Sequence, residues 1–248
     1  MAMNQAARES KGEVTVSVVV PAYNEEKYLG RSLAALANQT YPSDLFEVIV
    51  VDNGSTDRTA EIARRYGVRV VFEPRKGVAR ARQTGFEAAQ GDVIASTDAD
   101  TVVPPFWISR IAAHFRSDPA LGAVYGPVYW PDGRTIEQFL LRYPATWVLW
   151  VSNRVRRNLW WGSNFAVRRD VFWKAGGFPV DWHSGEDTDL SLRVSRIAPV
   201  RFEPDLTVHA SGRRGREGWH RVIGRSTANA LSRFLLRRPP PLPMTDVR

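Results

Sequence analysis

Two short acidic stretches and one late histidine carry the chemistry that this sequence could perform. Asp98-Ala99-Asp100 follows the apolar, β-prone run Val93-Ile94-Ala95-Ser96, and Pro104-Pro105 comes soon after. At the end of a strand, residues i and i+2 point to the same side. The two carboxylates therefore repel unless a cation or a polar ligand lies between them. The second cluster is Glu186-Asp187-Thr188-Asp189, which opens a helix marked by Leu190, Leu192, Val194 and Ile197. Acids are favoured in a first helical turn, so capping alone accounts for one or two of them. His209 follows two short β-prone runs, Val200-Arg201-Phe202 and Leu206-Thr207-Val208. Each feature has a plain structural explanation when taken alone. An isolated D-x-D is ordinarily a solvated loop or a cap, and a lone histidine is ordinarily structural.

The elements around these residues decide between the readings. Val14 to Val20 is a β-branched run that reads as a strand buried on both faces. A helix follows Asn24-Glu25-Glu26 and carries Leu29, Leu33, Leu36 and Ala37 on one side. Glu47 to Val51 is a second strand, Arg58 to Tyr66 a helix capped by Ser55 or Thr56, Val68 to Phe72 a third strand and Gly77 to Gln90 a third helix. Val93 to Ser96 is the fourth strand. Strands alternating with helices imply βαβ crossovers and a parallel sheet. In such sheets ligands bind beyond the carboxyl ends of the strands. Pro21-Ala22-Tyr23-Asn24-Glu25, Asp52-Asn53-Gly54-Ser55 and Asp98-Ala99-Asp100 all follow such ends. Three polar loops therefore converge on one edge.

After Pro104-Pro105 a helix is expected to Phe115, then a strand over Gly122–Tyr129. From Thr135, the residues Ile136, Phe139, Leu140, Tyr143, Trp147 and Trp150 keep a helical spacing broken at Pro144. Arg154, Arg156, Arg157, Trp160 and Trp161 come next. Aromatics beside arginines fit an interfacial membrane segment, and they fit an ordinary buried helix equally well. Trp161 to Val167 reads as a turn entering a strand, and Arg169-Asp170 begins a short helix closed by Gly176-Gly177. A last helix, roughly Arg216 to Arg237, ends at Pro239-Pro240-Pro241-Leu242-Pro243.

Composition bounds the class. The chain has 248 residues, with 44% hydrophobic and 24% charged, ordinary for one sizeable α/β domain. It has no cysteine, which excludes disulfides, thiolate metal sites and a cysteine nucleophile. Met1 to Lys11 is polar, unlike a secretory signal, and no run of about 18 apolar residues would span a bilayer. The formal charge of +8 is uneven: Arg213 to Arg248 holds nine arginines against Glu217 and Asp246. Such a stretch suits nucleic acid, an anionic membrane or a phosphorylated substrate, or it is a solvated face.

Taken together, the segments resemble glycosyltransferase family 2 on the GT-A fold. The resemblance runs from Val14 to about His209, with 1–12 as a flexible N-terminus, 13–211 as the transferase domain and 212–248 as a basic helix and Pro-rich tail. Its pieces are Val18-Val19-Val20-Pro21-Ala22-Tyr23-Asn24-Glu25, Val51-Asp52-Asn53-Gly54-Ser55-Thr56-Asp57, Ala81-Arg82-Gln83-Thr84-Gly85, Asp98-Ala99-Asp100, Gly176-Gly177-Phe178 and Glu186-Asp187. Gln83 stands where the family usually has Asn.

The resemblance implies a Rossmann-like, mostly parallel sheet flanked by helices, and it implies roles. Pro21, Ala22, Tyr23, Glu25, Asp52, Arg82, Asp98 and Ala99 would line the nucleotide site, with Asp52 at the base, Arg82 near the diphosphate and Asp98 at the ribose. Asp100 and His209 would hold a divalent metal, Mn²⁺ or Mg²⁺. Asp187 would be the base that deprotonates an acceptor hydroxyl, opposite the leaving diphosphate, with inversion at the anomeric carbon. Glu186 would orient the acceptor or the base. Trp161, Gly162, Ser163 and Asn164 would form part of the sugar or acceptor pocket. The implied donor is a nucleotide-sugar, UDP being the commoner nucleotide, and the acceptor a glycan or a lipid-linked molecule. Processive members carry Gln-x-x-Arg-Trp and membrane spans. Arg213-Arg214-Gly215-Arg216-Glu217-Gly218-Trp219 lacks that Gln, so a single transfer is expected. The expected location is cytoplasmic, with the basic C-terminal helix able to rest on the anionic inner face of the membrane.

Other readings stay open on the residues alone. A retaining or sugar-nucleotide-synthesising GT-A enzyme would share most motifs. A basic nucleic-acid module would leave Asp98, Asp100, Glu186, Asp187 and His209 without a purpose, and nucleic acid is not the expected partner. A silent nucleotide-sugar-binding scaffold would bind without turnover.

Overall fold

The computed structural model describes residues 13–133, 135–182 and 184–213. The expected flexible N-terminus 1–12, the helix of Arg216–Arg237 and the Pro-rich tail lie outside the described residues.

Strands β1 (Val16–Ala22), β2 (Phe46–Asp52), β3 (Arg69–Phe72) and β4 (Val93–Ser96) alternate with helices α1 (Leu29–Ala37), α2 (Thr59–Arg65) and α3 (Val78–Ala88). All seven residues of β1 and all four of β4 are buried, which is why these strands are apolar without alternation. The rest of the chain adds β5 (Thr101–Val102), α4 (Trp107–Ser117), β6 (Ala123–Tyr125), β7 (Val128–Tyr129), α5 (Thr135–Leu140) and a π-helical turn at Leu141–Ala145. After these come α6 (Thr146–Arg154), β8 (Phe165–Arg168), α7 (Arg169–Lys174), α8 (Glu186–Ile197), β9 (Val200–Phe202) and β10 (Val208–Ala210).

Seven strands form one sheet in the order β3-β2-β1-β4-β8-β6-β9. Strands β3, β2, β1 and β4 are mutually parallel, as the alternation predicts, and β9 is parallel to β6. Strand β8 runs against both its neighbours, pairing Ser96 with Phe165 and Tyr125 with Phe165. The single strand expected over 122–129 is two strands in different sheets. Pro127 offers no N–H to continue the ladder, so the chain leaves the large sheet after Tyr125 and joins the small sheet β5-β10-β7.

Each face of the large sheet has its own core. Leu29, Leu33 and Leu36 of α1 and Trp107, Ile108 and Ile111 of α4 pack on one side. Phe86, Phe165, Phe172, Phe178 and Trp160 pack on the other. Trp160 stacks on Phe165 at 4.9 Å and is 1% exposed, so it belongs to the core and to no interfacial segment. Helix α3 comes close to the sheet because Gly85 has no side chain: a Cβ there would lie 2.3 Å from Val19 Cγ1. That approach sinks Arg82, one turn earlier, beneath the sheet edge.

Candidate active site

The loops beyond β1 and β2 are knitted together by short polar side chains. Asn24, at a φ of 54°, accepts the Thr56 amide at 2.8 Å, while its own amide donates to Ser55 Oγ at 3.0 Å. The Glu25 amide donates to Thr59 Oγ1 at 2.7 Å, and Asp52 Oδ1 caps the turn by accepting the Ser55 amide at 2.9 Å. Asn53 binds the loop before α3 through Glu73 O, Arg75 O and the Gly77 amide. This frame holds Tyr23, and Lys76 Nζ sits 3.3 Å over its ring while donating to the Asn53 and Gly54 carbonyls. The motifs did not mark Lys76. Its place in a βα loop at the same edge, Pro74-Arg75-Lys76-Gly77, is the signal that could have found it.

The acidic clusters meet at Arg82. Its guanidinium donates to Asp98 Oδ1 at 2.7 Å and to Glu186 Oε1. Arg82 and Glu186 are both buried, with side chains about 5% and 4% exposed. Burial works against the Arg82 charge, but Asp98, Glu186 and Asp187 outweigh it and raise its pKa. Burial pushes the Glu186 carboxyl up to about 7, Arg82 pulling the other way and the charges of Asp187 and Asp98 adding to the burial. The guanidinium of Arg82, expected near a diphosphate, is engaged here by two carboxylates.

Asp187 is held differently. Its Oδ2 accepts the Gly162 amide at 2.7 Å and its Oδ1 accepts the Thr188 amide at 2.7 Å. The Gly162 carbonyl is fixed in turn by Ser96 Oγ at 2.7 Å. Asp187 stays partly exposed while Glu186 is buried. Asp189 turns away and pairs with Arg193 at 2.7 Å, one helical turn on.

Asp100 sits at the mouth of β5. Arg213 Nε lies 3.0 Å from its Oδ2, and the same guanidinium grips both carboxylate oxygens of Glu25. The Ser211 amide donates to the Asp100 carbonyl at 3.2 Å, so the end of β10 is tied to the acidic loop. His209 is exposed, 5.8 Å from the Tyr129 ring, and lines a cavity of about 380 Å³ with Arg142, Thr146 and Thr207. No group of three or more His, Cys, Asp and Glu side chains able to hold a metal occurs among the described residues.

Some expected pocket residues point inward. Ala22 and Ala99 belong to the core, and Pro21 lies within β1 opposite Val51. Asn164 is fully buried: its Nδ2 donates to Pro127 O and Leu206 O, and its Oδ1 accepts Trp107 Nε1. It joins the two sheets and offers no free group to a pocket. Ser163 is 7% exposed, and Trp161 packs against both cores. Of that tetrad, Gly162 donates its amide to Asp187.

An alternating sheet whose strand ends gather two carboxylate clusters has the architecture of the GT-A fold. Mannosyltransferase PcManGT from Pyrobaculum calidifontis, solved in complex with GDP-Man and Mn²⁺, superposes with a TM-score of 0.70 at 24% identity, over 92% of this chain and 66% of that one. The family model for glycosyl transferase family 2 matches residues 17–176, and the chain belongs to that family. It is 32% identical over 215 residues to the probable glycosyltransferase YdaM of Bacillus subtilis, covering 79% of this chain and 51% of that protein. It is 33% identical over 189 residues to glycosyltransferase AglE of Haloferax volcanii, covering 73% and 61%. The chain thus spans between half and two thirds of these relatives' lengths. Among the described residues, no helix is long and apolar enough to cross a membrane.

Proposed function

We propose that residues 13–211 form a glycosyltransferase domain that moves a sugar from a nucleotide-diphosphate donor, a UDP-sugar, to an acceptor hydroxyl with inversion. The carrying observation is Asp187, partly exposed and clamped by the Gly162 and Thr188 amides beside the Arg82-linked acids Asp98 and Glu186. A neighbour of the same fold, TarS of S. aureus, was solved with UDP-GlcNAc, and this supports the donor class.

The acceptor hydroxyl is a weak nucleophile at neutral pH, and Asp187 is the carboxylate placed to take its proton. Both its oxygens accept backbone N–H donors, which fix its direction. Glu186, one residue earlier, is engaged by Arg82, so the two neighbouring acids do different work. Asp98 faces the ribose, Asp52 the base, and the Lys76–Tyr23 pair adds a cation and an aromatic face beside the nucleotide. Asp100 and Glu25 already share one cation, Arg213, so the chemistry of this spot suits positive charge. A divalent ion held by Asp100, with His209 as a second ligand, would stabilise the charge developing on the diphosphate leaving group.

Thermal-shift titration with nucleotide-sugars and Mn²⁺ tests the reading, since a ligand bound only by the folded state raises the midpoint. A UDP-sugar is expected to raise it, and turnover should give a product of inverted anomeric configuration by NMR. No response to any nucleotide-sugar would overturn the proposal, and a retained configuration would remove Asp187 from its role.

A further inference from the structure

Helix α5, the π-helical turn and α6 carry a crowded exposed aromatic face. Phe139, Tyr143, Trp147 and Trp150 are 54%, 58%, 63% and 47% exposed. Residues four apart on a helix share a side, and Phe139 and Tyr143 touch at 5.1 Å between ring centres. The π-helical turn takes up Pro144, which would otherwise break the segment. The exposure is not a frayed end. Tyr125 Oη donates to the Leu149 carbonyl at 3.2 Å and Asn153 Nδ2 to the Val200 carbonyl at 2.8 Å, while Leu149 and Ser152 are buried. The inner side is fastened to the domain and the aromatic side is turned out. Beside it, Trp147, Val148, Val151, Val155 and Leu159 line an apolar groove of about 200 Å³ with Arg157 at its edge.

Charge narrows what can cover this face. Residues 135–157 hold Arg142, Arg154, Arg156 and Arg157 against one acid, Glu137, and Arg154 stacks over Trp150 at 5.2 Å. The stretch from Arg213 to Arg248 is itself strongly basic, with nine arginines and two acids, so it does not complement an arginine-lined surface. A second copy would bring the same arginines. An anionic bilayer complements both: its headgroup layer takes Trp and Tyr rings, and its negative surface attracts arginine.

We propose that the face bearing Phe139, Tyr143, Trp147 and Trp150, rimmed by Arg154, Arg156 and Arg157, seats in the headgroup layer of an anionic lipid bilayer. Arg142 and Thr146, on the same segment, line the cavity that holds His209, so this docking sets the cavity at the membrane surface. The surface stands on its own exposure and charge and does not depend on the transferase chemistry.

The chain has no cysteine, so one introduced at an exposed position carries a single environment-sensitive dye. The full chain with Trp147→Cys is labelled and mixed with phosphatidylcholine vesicles, with or without phosphatidylglycerol. Trp173→Cys on α7, at a position 46% exposed, is the reference. The expected result is a blue shift at position 147 with phosphatidylglycerol only, reversed by high salt, and no shift at position 173. Arg154→Gln and Arg157→Gln should each lower partitioning about fivefold. Three results would overturn the proposal. Emission at 147 already blue without lipid means that another protein surface covers the face: a second copy if it depends on protein concentration, this chain's own C-terminal stretch if it does not. Vesicle binding with position 147 unshifted assigns the contact to another surface. No binding to anionic vesicles at low salt removes the membrane altogether.

Discussion

The guanidinium of Arg82 lies against the α-carbon of Gly162: a Cβ at that position would stand 2.3 Å from Nη2 and 2.4 Å from Cζ. The same glycine donates its amide to Asp187. One residue without a side chain therefore lets the buried cation and the proposed base share a wall. Gly162→Ala should push the loop off Arg82 and tilt the Asp187 carboxylate. Overpacking of this kind costs about 1–3 kcal/mol, and misplacing a reacting group by about 1 Å costs on the order of 10²-fold in rate. Steady-state kinetics on a folded variant checks this, and an unchanged kcat would mean that the contact does not position Asp187.

Asp187→Asn removes the proton acceptor but keeps the shape and the contact with the Gly162 amide. Turnover should fall about 10²–10⁴-fold, while the nucleotide-induced rise in Tm stays as in the parent. Equal losses of binding and turnover would make Asp187 a donor-binding residue instead.

Glu186 makes stability depend on pH, and the direction follows from burial. Its carboxyl is raised from an ordinary 4.5 to about 7, so between these values the folded state holds a proton that the unfolded state has lost. The stability contributed by this group is full below pH 4.5 and is lost as the pH rises through 7. Glu186→Gln cannot ionise. The parent should therefore lose stability relative to Glu186→Gln as the pH rises from about 5 to about 8. Urea melts of both proteins across that range measure it, and parallel curves would contradict it.

Arg213 and a divalent ion would compete for the charge of Asp100 and Glu25. Arg213→Ala should tighten Mn²⁺ binding to the nucleotide-free protein about tenfold, equivalent to about 1.4 kcal/mol. Calorimetric titration reads this directly. Unchanged or weaker binding would show that the guanidinium and the ion do not exclude one another.

Asn164→Ala takes away the acceptor of the Trp107 indole N–H and the side-chain donor to the Leu206 carbonyl in the interior, while the Pro127 carbonyl keeps the Val208 amide. Each orphaned group costs about 1–3 kcal/mol, so a fall in the urea midpoint is expected at a temperature where the variant remains folded. A variant with parental stability and impaired sugar binding would return Asn164 to the pocket.

Much of the frame was legible in the residues. Fully buried parallel strands need continuous apolar runs, so Val16–Ala22 and Val93–Ser96 stood out, and the polar loops after them fell on one edge. The direction of β8 was not legible, because Phe165-Ala166-Val167 reads alike either way and its neighbours β4 and β6 are distant in sequence. The break at Pro127 is hidden by the apolar run on either side of it. At the site, the carboxylates are visible in the sequence and their partners are not. Arg82 meets Glu186 across 104 residues and Arg213 meets Glu25 across 188, separations that no local pattern encodes.

Those separations also bear on how the protein is made. During synthesis α3 emerges with its arginine about a hundred residues before α8 supplies the matching carboxylate. Asp98, 16 residues on, supplies one counter-charge early, but Glu186 shares the buried guanidinium and comes only with α8. A buried cation short of a partner is costly, so a chain cut before Glu186 should be less stable and more prone to aggregate than the whole domain.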